Sequence, residues 1–385
     1  MEEYDVIVIG ADLAGLQCAR LLGNQGLRVL LVDRKNSLDQ AVHTTGIFVR
    51  RTLEDFPLPA DCLGPVVRHV SLYSPARRRM NLESPHDEFR VGRMGHLYRR
   101  MLEDCLDANV EWRPETRYLG NTQLSDGVEV SLEAGGGARK VRTRFLIGAD
   151  GANSRVARDL DLDRNHEFIV GVEEVYERVP LDGPPTLHCF LDPQLAPGYL
   201  AWVVNDGEQV HVGVGGYAAN FDPTTSLKQF RGSVKNVCDL SSAKLVERRG
   251  GRIPVGGVLK RIANERGLLL GDAAGAVSPL TAGGLDPCMR LSTFAAKVTT
   301  DYLKTGEIQA LAAYSGELFR SRFISRLWMR QVIAGIRQPL AIELACGAMR
   351  LPLINNFAWH VFFGRGSFPD VQAGVARQSA NDAMA

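Results

Sequence analysis

The sequence predicts an α/β fold: a parallel sheet flanked by helices, an antiparallel sheet inserted into it, and a helical C-terminal region. Three observations carry this. A β-branched run at residues 6–9 stops at Gly10, and a helical apolar pattern and a second apolar run at 28–32 follow. Two later apolar runs, at 145–147 and 268–270, also end in glycine turns, Gly-Ala-Asp-Gly and Gly-Asp-Ala-Ala. Between them, residues of about 166 to 255 alternate apolar and polar, the period of a strand with one buried face.

Composition bounds the function. The 385 residues are enough for roughly two domains. They are 45% hydrophobic and 23% charged, ordinary for a globular chain with a sizeable core. A formal net charge of +1 leaves no electrostatic footprint for nucleic acid. The 7 cysteines are odd in number and scattered singly, which argues against a disulfide framework and a thiolate metal site. A reducing, cytoplasmic location is expected. The N-terminus lacks the basic start of a signal peptide, and no apolar run reaches the ~18 residues of a membrane span.

The first element is the strand ending at Ile9. Its helix carries Leu13, Leu16, Cys18, Ala19, Leu21 and Leu22 near helical spacing and is ended by Asn24 and Gly26. The second strand closes on Asp33. Strand, glycine turn, helix, strand and an acid about 20 residues on make a Rossmann unit. Gly10 permits the tight turn and Gly15 the close approach of helix to strand. Free N–H groups at the helix start hold a pyrophosphate. Asp33 accepts from the adenosine ribose hydroxyls and disfavours a 2′-phosphate. Asp12 stands where the second glycine of the fingerprint would be. Either its side chain turns to solvent or caps the helix, or it weakens cofactor binding.

The second motif runs from Phe145 through Asp150 and Gly151 to Arg155. The third runs from Leu268 through Gly271, Asp272, Gly275, Pro279, Gly283 and Gly284 into a helix to about Leu303. In that order, each after an apolar strand, the three motifs resemble those of FAD-dependent oxidoreductases with the p-hydroxybenzoate hydroxylase type of fold. The resemblance covers roughly residues 4 to 305. It implies a Rossmann-type FAD-binding domain with an inserted antiparallel-sheet substrate domain. Gly10, Gly15 and Asp33 match the AMP-side residues. Asp150 and Gly151 match a turn that, in the hydroxylases, serves both FAD and the reductant. Asp272 matches the acid on the ribityl chain, and Gly284 and Leu285 match N–H groups at the flavin's pyrimidine edge. Arg93 matches an Arg before a helix that touches the cofactor; it is otherwise a surface residue. The implied FAD contacts are thus Gly10, Asp12, Leu13, Ala14, Gly15, Asp33, Arg34, Arg93, Asp150, Gly151, Gly271, Asp272, Pro279, Gly283, Gly284 and Leu285, with no metal.

Within the family, Gly275 replaces the His of the hydroxylases. Cys288-Met289-Arg290-Leu291-Ser292 resembles a segment of the geranylgeranyl reductases, and Pro279-Leu280-Thr281 fits that branch. Tyr199-Leu200-Ala201-Trp202 resembles its Tyr-x-Trp signature, with Leu200, Val204 and Asn205 departing from it. Tyr199 and Trp202 are therefore the substrate candidates. His43-Thr44-Thr45-Gly46 stands where the branch has Lys-x-Cys-Gly facing the flavin, which makes His43 and Thr45 the catalytic candidates. His43 would donate a proton, or is a structural or surface histidine. No halogenase Trp-x-Trp-x-Ile-Pro segment is present. No second Rossmann unit serves NAD(P)H, so NAD(P)H would dock transiently as donor, or the donor is a protein.

The function implied is reduction of a C=C bond in an apolar small molecule, a prenylated one among the candidates, by hydride transfer from flavin N5. A flavin monooxygenase using NAD(P)H and O₂ is the alternative, and an inactive flavin-binding protein the second. The expected domains are 1–65, 93–165 and 256–305 for FAD, 66–92 and 166–255 for substrate, a helical region 306–370 and a flexible tail 371–385. Val66 to Tyr73 is expected as one strand of the antiparallel sheet, with turns at Asp182-Gly183-Pro184 and Asn205-Asp206-Gly207. Gly213-Val214-Gly215-Gly216 is expected to mark a bulge or tight bend, and Ala76-Arg77-Arg78-Arg79 a basic turn, either solvated or facing a phosphate. The helical region, with arginines among aromatics, is a lid over an apolar tunnel, a peripheral membrane contact, or packing against the sheet or in a homodimer.

Overall fold

The structure is a computed structural model describing residues 1–180 and 183–364. Leu181, Asp182 and the whole of 365–385 lie outside the described residues, and with them one residue of an expected turn and the expected tail.

The first sheet is built on five parallel strands in the spatial order Gly267–Leu269, Gly137–Gly148, Glu2–Ile9, Val29–Val32 and Glu111–Arg113. Its central strands read as unbroken apolar runs because both their faces are buried: Val6, Ile7, Val8, Leu30, Leu31 and Ile147 are fully buried. Thr116–Leu124 and Gly127–Ala134 extend it as an antiparallel hairpin. The first helix, Leu13–Gly23, and the long helix Leu285–Thr305 pack on one another over this sheet.

The second sheet has 7 strands, in the order Lys244–Pro254, Phe168–Glu177, Val210–Gly216, Ala201–Asn205, Thr186–Phe190, His69–Tyr73 and Arg79–Glu83. Its pairs are antiparallel except Thr186–Phe190 with His69–Tyr73, which is parallel. This departs from the antiparallel sheet expected throughout. A third, small sheet joins Ile47–Val49, Phe89–Gly92 and Leu63–Val67.

The expected strand 66–73 is in fact two. Leu63–Val67 belongs to the small sheet and His69–Tyr73 to the large one, with Arg68 between them, exposed and paired with Asp87 at 2.6 Å. The arginine that interrupts the apolar face is where the chain changes sheets. Two arginines of the basic turn have acidic neighbours, Arg77 3.6 Å from Asp192 and Arg78 3.5 Å from Glu343, while Arg78 stays largely exposed, as a solvated turn would be. The turn at Asn205-Asp206-Gly207 forms as expected, with Gly207 at φ +92.

Val210–Gly216 pairs with both neighbours without a register shift, so its glycines mark neither bulge nor bend. They make room for rings. A Cβ at Gly213 would lie 2.2 Å from Trp202, and one at Gly215 2.7 Å from Tyr199. The aromatics of one strand lie flat on the next, which only glycine permits.

After Thr305 the chain is helical: Gln309–Ala312, Gly316–Arg320, Ile324–Gly335, Pro339–Ala348 and Pro352–Phe363. Arg320 donates to the carbonyls of Gly256 and Val258. Ala358 and Phe363 join the core of the large sheet with Val67, Leu72 and Phe89. Among the described residues no helix is long and apolar enough to cross a membrane.

Candidate functional site

The three glycine turns converge on one cavity of about 1360 Å³. That exceeds the roughly 300–1,000 Å³ of an ordinary ligand site. It joins a groove over the parallel sheet to a chamber between the large sheet and the C-terminal helices.

The groove is shaped by what glycine omits. Gly10 has φ +104, and a Cβ there would meet the Ala149 carbonyl oxygen at 2.2 Å. A Cβ at Gly15 would meet the Gly10 oxygen at 1.8 Å. The first helix therefore starts hard against the turn, with Leu13 and Ala14 at its first positions and their N–H groups directed at the groove mouth. At Gly271, φ +51, a Cβ would lie 3.1 Å from that of Ala14, so the first and third turns also touch.

Asp12 occupies the N-cap position but makes no cap hydrogen bond. Its Oδ1 instead receives the Lys35 ammonium at 2.6 Å. Of the two outcomes expected for its side chain, the cap does not form, and the side chain is partly turned to solvent, 45% exposed, while holding Lys35. Lys35 follows Asp33 by two residues, and its own N–H donates to Asp33 Oδ1 at 2.9 Å. Asp33 Oδ2 accepts from the Ala11 N–H at 2.8 Å. The acid that ends the second strand thus ties both phosphate-side loops together. Arg34 beside it is exposed and lines the cavity.

Asp150 faces the groove, but its carboxylate is engaged: Ser154 Oγ donates to Oδ1 at 2.6 Å, and the Arg155 and Val156 N–H groups donate to Oδ2. It starts the short helix Arg155–Asp159. Burial raises its carboxyl above the usual range against these bonds. Gly151, at φ +80, has open space where a Cβ would be. Asp272 differs, because among the described residues no donor reaches its carboxylate. Burial, and secondarily the Asp12 charge, push it up to about 6. Gly283, Gly284 and Leu285 bring the start of the 21-residue helix Leu285–Thr305 to the cavity wall, and its dipole points a partial positive charge inward. Pro279 is buried behind that wall, between lining residues Ser278 and Leu280.

Arg93 is not brought to the cavity. Its guanidinium reaches the carbonyls of Asp61 and Asp206 and pairs with Glu208 at 3.1 Å.

His43 and Thr45 both line the cavity, His43 exposed and Thr45 half-buried. Thr45 donates to Oε2 of Glu173, which Trp202 Nε1 also reaches at 2.9 Å. Tyr199 and Trp202 meet edge to face at 6.5 Å, and the Tyr199 hydroxyl donates to the Thr281 carbonyl. This seats the two substrate candidates against the loop that joins Asp272 to the long helix. Glu173, His211, Arg249 and Lys35 were not singled out by the sequence. Only the three-dimensional pairing of distant strands gives them a role.

A groove whose glycines are sterically required, two helix starts, and a half-buried carboxylate that no donor reaches among the described residues fit a flavin dinucleotide. The comparisons agree. Residues 3–328 match the family described as FAD binding domain. Digeranylgeranylglycerophospholipid reductase 1 of Methanopyrus kandleri is 30% identical over 80% of this chain and 83% of that protein. The enzyme of that name from Methanothrix thermoacetophila is 27% identical over 80% and 81%. A geranylgeranyl bacteriochlorophyll reductase-like structure from Thermoplasma acidophilum superposes with a TM-score of 0.83 at 20% identity, over 98% of this chain and 99% of that one.

Proposed function

Because the chain belongs to the FAD binding domain family and is an FAD-dependent oxidoreductase, we propose that it reduces carbon–carbon double bonds in the prenyl chains of a lipid. The observation that carries this is the apolar chamber, continuous with the dinucleotide groove and walled by residues such as Leu72, Leu187, Val332, Ile333 and Met349. A long hydrocarbon gains about 0.8 kcal/mol per methylene by entering such a wall. The similarity to digeranylgeranylglycerophospholipid reductases supports a prenyl chain as that hydrocarbon.

When bound, FAD supplies a hydride from its N5 position. This chain's residues do the rest. Leu13 and Ala14 N–H groups hold the phosphates, and Asp272 accepts from the ribityl hydroxyls. The helix start at Gly284 and Leu285 favours negative charge at the ring edge. Tyr199 and Trp202 position the chain, and Thr45, with His43 at the mouth, presents a proton on the cavity side. NAD(P)H, docking transiently, is the proposed source of electrons.

The test offers a geranylgeranyl lipid to the reduced holoprotein without oxygen. The expected product gains two hydrogens per double bond, and reduced flavin without lipid reoxidises slowly in air. Lipid-stimulated NAD(P)H oxidation with O₂ uptake and an oxygenated product would establish a monooxygenase instead. Neither product, with every donor tried, would leave a flavin-binding protein without turnover.

A further inference from the structure

The Glu173 carboxylate lies inside the large sheet, 4% exposed, and takes four donors. Thr45 and Trp202 donate to Oε2. His211 Nδ1, at 3.1 Å, and Arg249, at 3.4 Å, face Oε1. The other ring nitrogen of His211, itself 1% exposed, lies 3.3 Å from Oδ2 of Asp206. Asp206 sits in the hairpin turn whose next two residues, Gly207 and Glu208, are exposed. The four groups thus run in a line from the outer turn, through the sheet, to the Thr45 hydroxyl on the cavity wall.

We propose that Asp206, His211, Glu173 and Thr45 form a proton chain that stores one proton on the imidazole and delivers it into the cavity at the Thr45 hydroxyl. Rotamer chemistry and charge balance carry the argument. A carboxylate with four donors is ionised, since a protonated one would set a hydrogen against a donor. Two buried carboxylates flank the ring, and the nearest fixed cation, Arg249, is shared with Glu247 at 2.7 Å. Arg93 is paired with Glu208 and touches Asp206 at its backbone carbonyl, not its carboxylate. The imidazole must therefore supply the balancing charge, because unpaired buried charges cost several kcal/mol. A site built only to fasten the loop would be complete with Glu173 and Arg249. Burial opposes the imidazolium, but Glu173 and Asp206 outweigh it and hold the ring at about 9.

The step moves a proton and no electron. His211 first gives its Nδ1 proton to Glu173 Oε1, and the Glu173 carboxyl turns to present that proton to Thr45 Oγ1 as the Thr45 proton goes to the acceptor in the cavity. The ring is left neutral with its Nε2–H held by Asp206, and Nδ1 regains a proton from water entering the cavity by the reverse of the same route. This rests on the reductase reading, in which the carbon opposite the hydride needs a proton. Glu173, His211 and Asp206 act through Thr45 and are positioning residues.

The test is histidine side-chain NMR of the FAD-loaded full chain, with His211 assigned by His211→Gln. The ring is expected to remain cationic at pH 7 and to titrate near 9. Thr45, half-buried on the wall, is replaced without disturbing the core. Thr45→Val should slow exchange of the His211 Nδ1 proton at least tenfold. It should also lower kcat by about 10²-fold or more with KM unchanged, and Thr45→Ser should restore both. A neutral ring at pH 7 overturns the store, whatever the turnover. A Thr45→Val protein with unchanged Nδ1 exchange and unchanged kcat overturns delivery. Slowed exchange in a protein that reduces no prenyl lipid sinks the reductase reading alone and leaves the chain standing.

Discussion

Lys35 is the residue that reconciles Asp12 with a phosphate groove. A carboxylate at a helix start would repel a pyrophosphate, but here an ammonium at 2.6 Å cancels its charge. The pair is a removable one. Asp12 is 45% exposed, so its intrinsic worth to stability is small, while its effect on a doubly charged ligand beside it is not. Lys35→Met should weaken FAD binding about tenfold, ~1.4 kcal/mol. Asp12→Gly should tighten it by removing the carboxylate that Lys35 otherwise has to neutralise. The double variant should fall near Asp12→Gly alone, and titration of FAD into the four apoproteins measures the coupling. Equal effects of Lys35→Met in both backgrounds would show that the pair does not govern the site. The anomaly at position 12 was visible in the sequence, because a fingerprint fixes which residue is out of place. Its remedy was not, because nothing in a linear pattern says that the residue two beyond Asp33 folds back across the turn.

Among the elements, the strand Val210–Gly216 shows where pattern reading stops. Its glycines were legible as unusual and were read as a bulge or tight bend, yet the strand keeps register with both neighbours and the space belongs to the rings of Tyr199 and Trp202. Which ring lies over which glycine depends on register across two strands, and register is a property of pairing. The nucleotide-binding strands and their glycine turns, by contrast, were legible because their constraint is local. The same strand carries a pH dependence. His211 is held above the usual imidazole range in the fold and returns to about 6.5 when unfolded. Its contribution to stability is fully present below about 6.5 and is lost as pH rises through about 9. Thermal unfolding should therefore show Tm falling between pH 7 and 9.5, and Glu173→Gln should flatten that fall. A wild-type Tm that holds level across the interval would mean that the buried ring carries no charge.

Over the whole molecule, apolar surface gathers at one end. Leu318, Ile324, Trp328, Leu340, Leu344 and Leu351 are each more than half exposed. The segment 315–364 that carries them has six arginines against two glutamates. Trp328 and Val332 are both exposed and cavity-lining, so this surface surrounds an opening of the chamber. A basic and aromatic surface of this kind suits the interface of an anionic bilayer. The full-length protein should sediment with vesicles containing anionic lipid, less so at high salt, and Trp328→Ser with Leu344→Ser should reduce the bound fraction several-fold. A concentration-dependent homodimer in solution, lost in the same double variant and indifferent to vesicles, would assign the surface to a second copy. The sequence showed the arginines and aromatics interleaved; it did not show that their helices frame an entrance.

The chamber draws its two walls from different sources. One is the strand-borne surface beneath Trp202, fixed by register and by glycines that tolerate no side chain. The other is a run of short helices that follows both sheets in the sequence and is pinned to them by a few side chains such as Arg320 and Arg330. Such a division makes the second wall a replaceable part. Descendants of this scaffold can exchange or resize the tail to admit a longer, shorter or bulkier hydrocarbon, while the grip on the nucleotide is inherited unaltered.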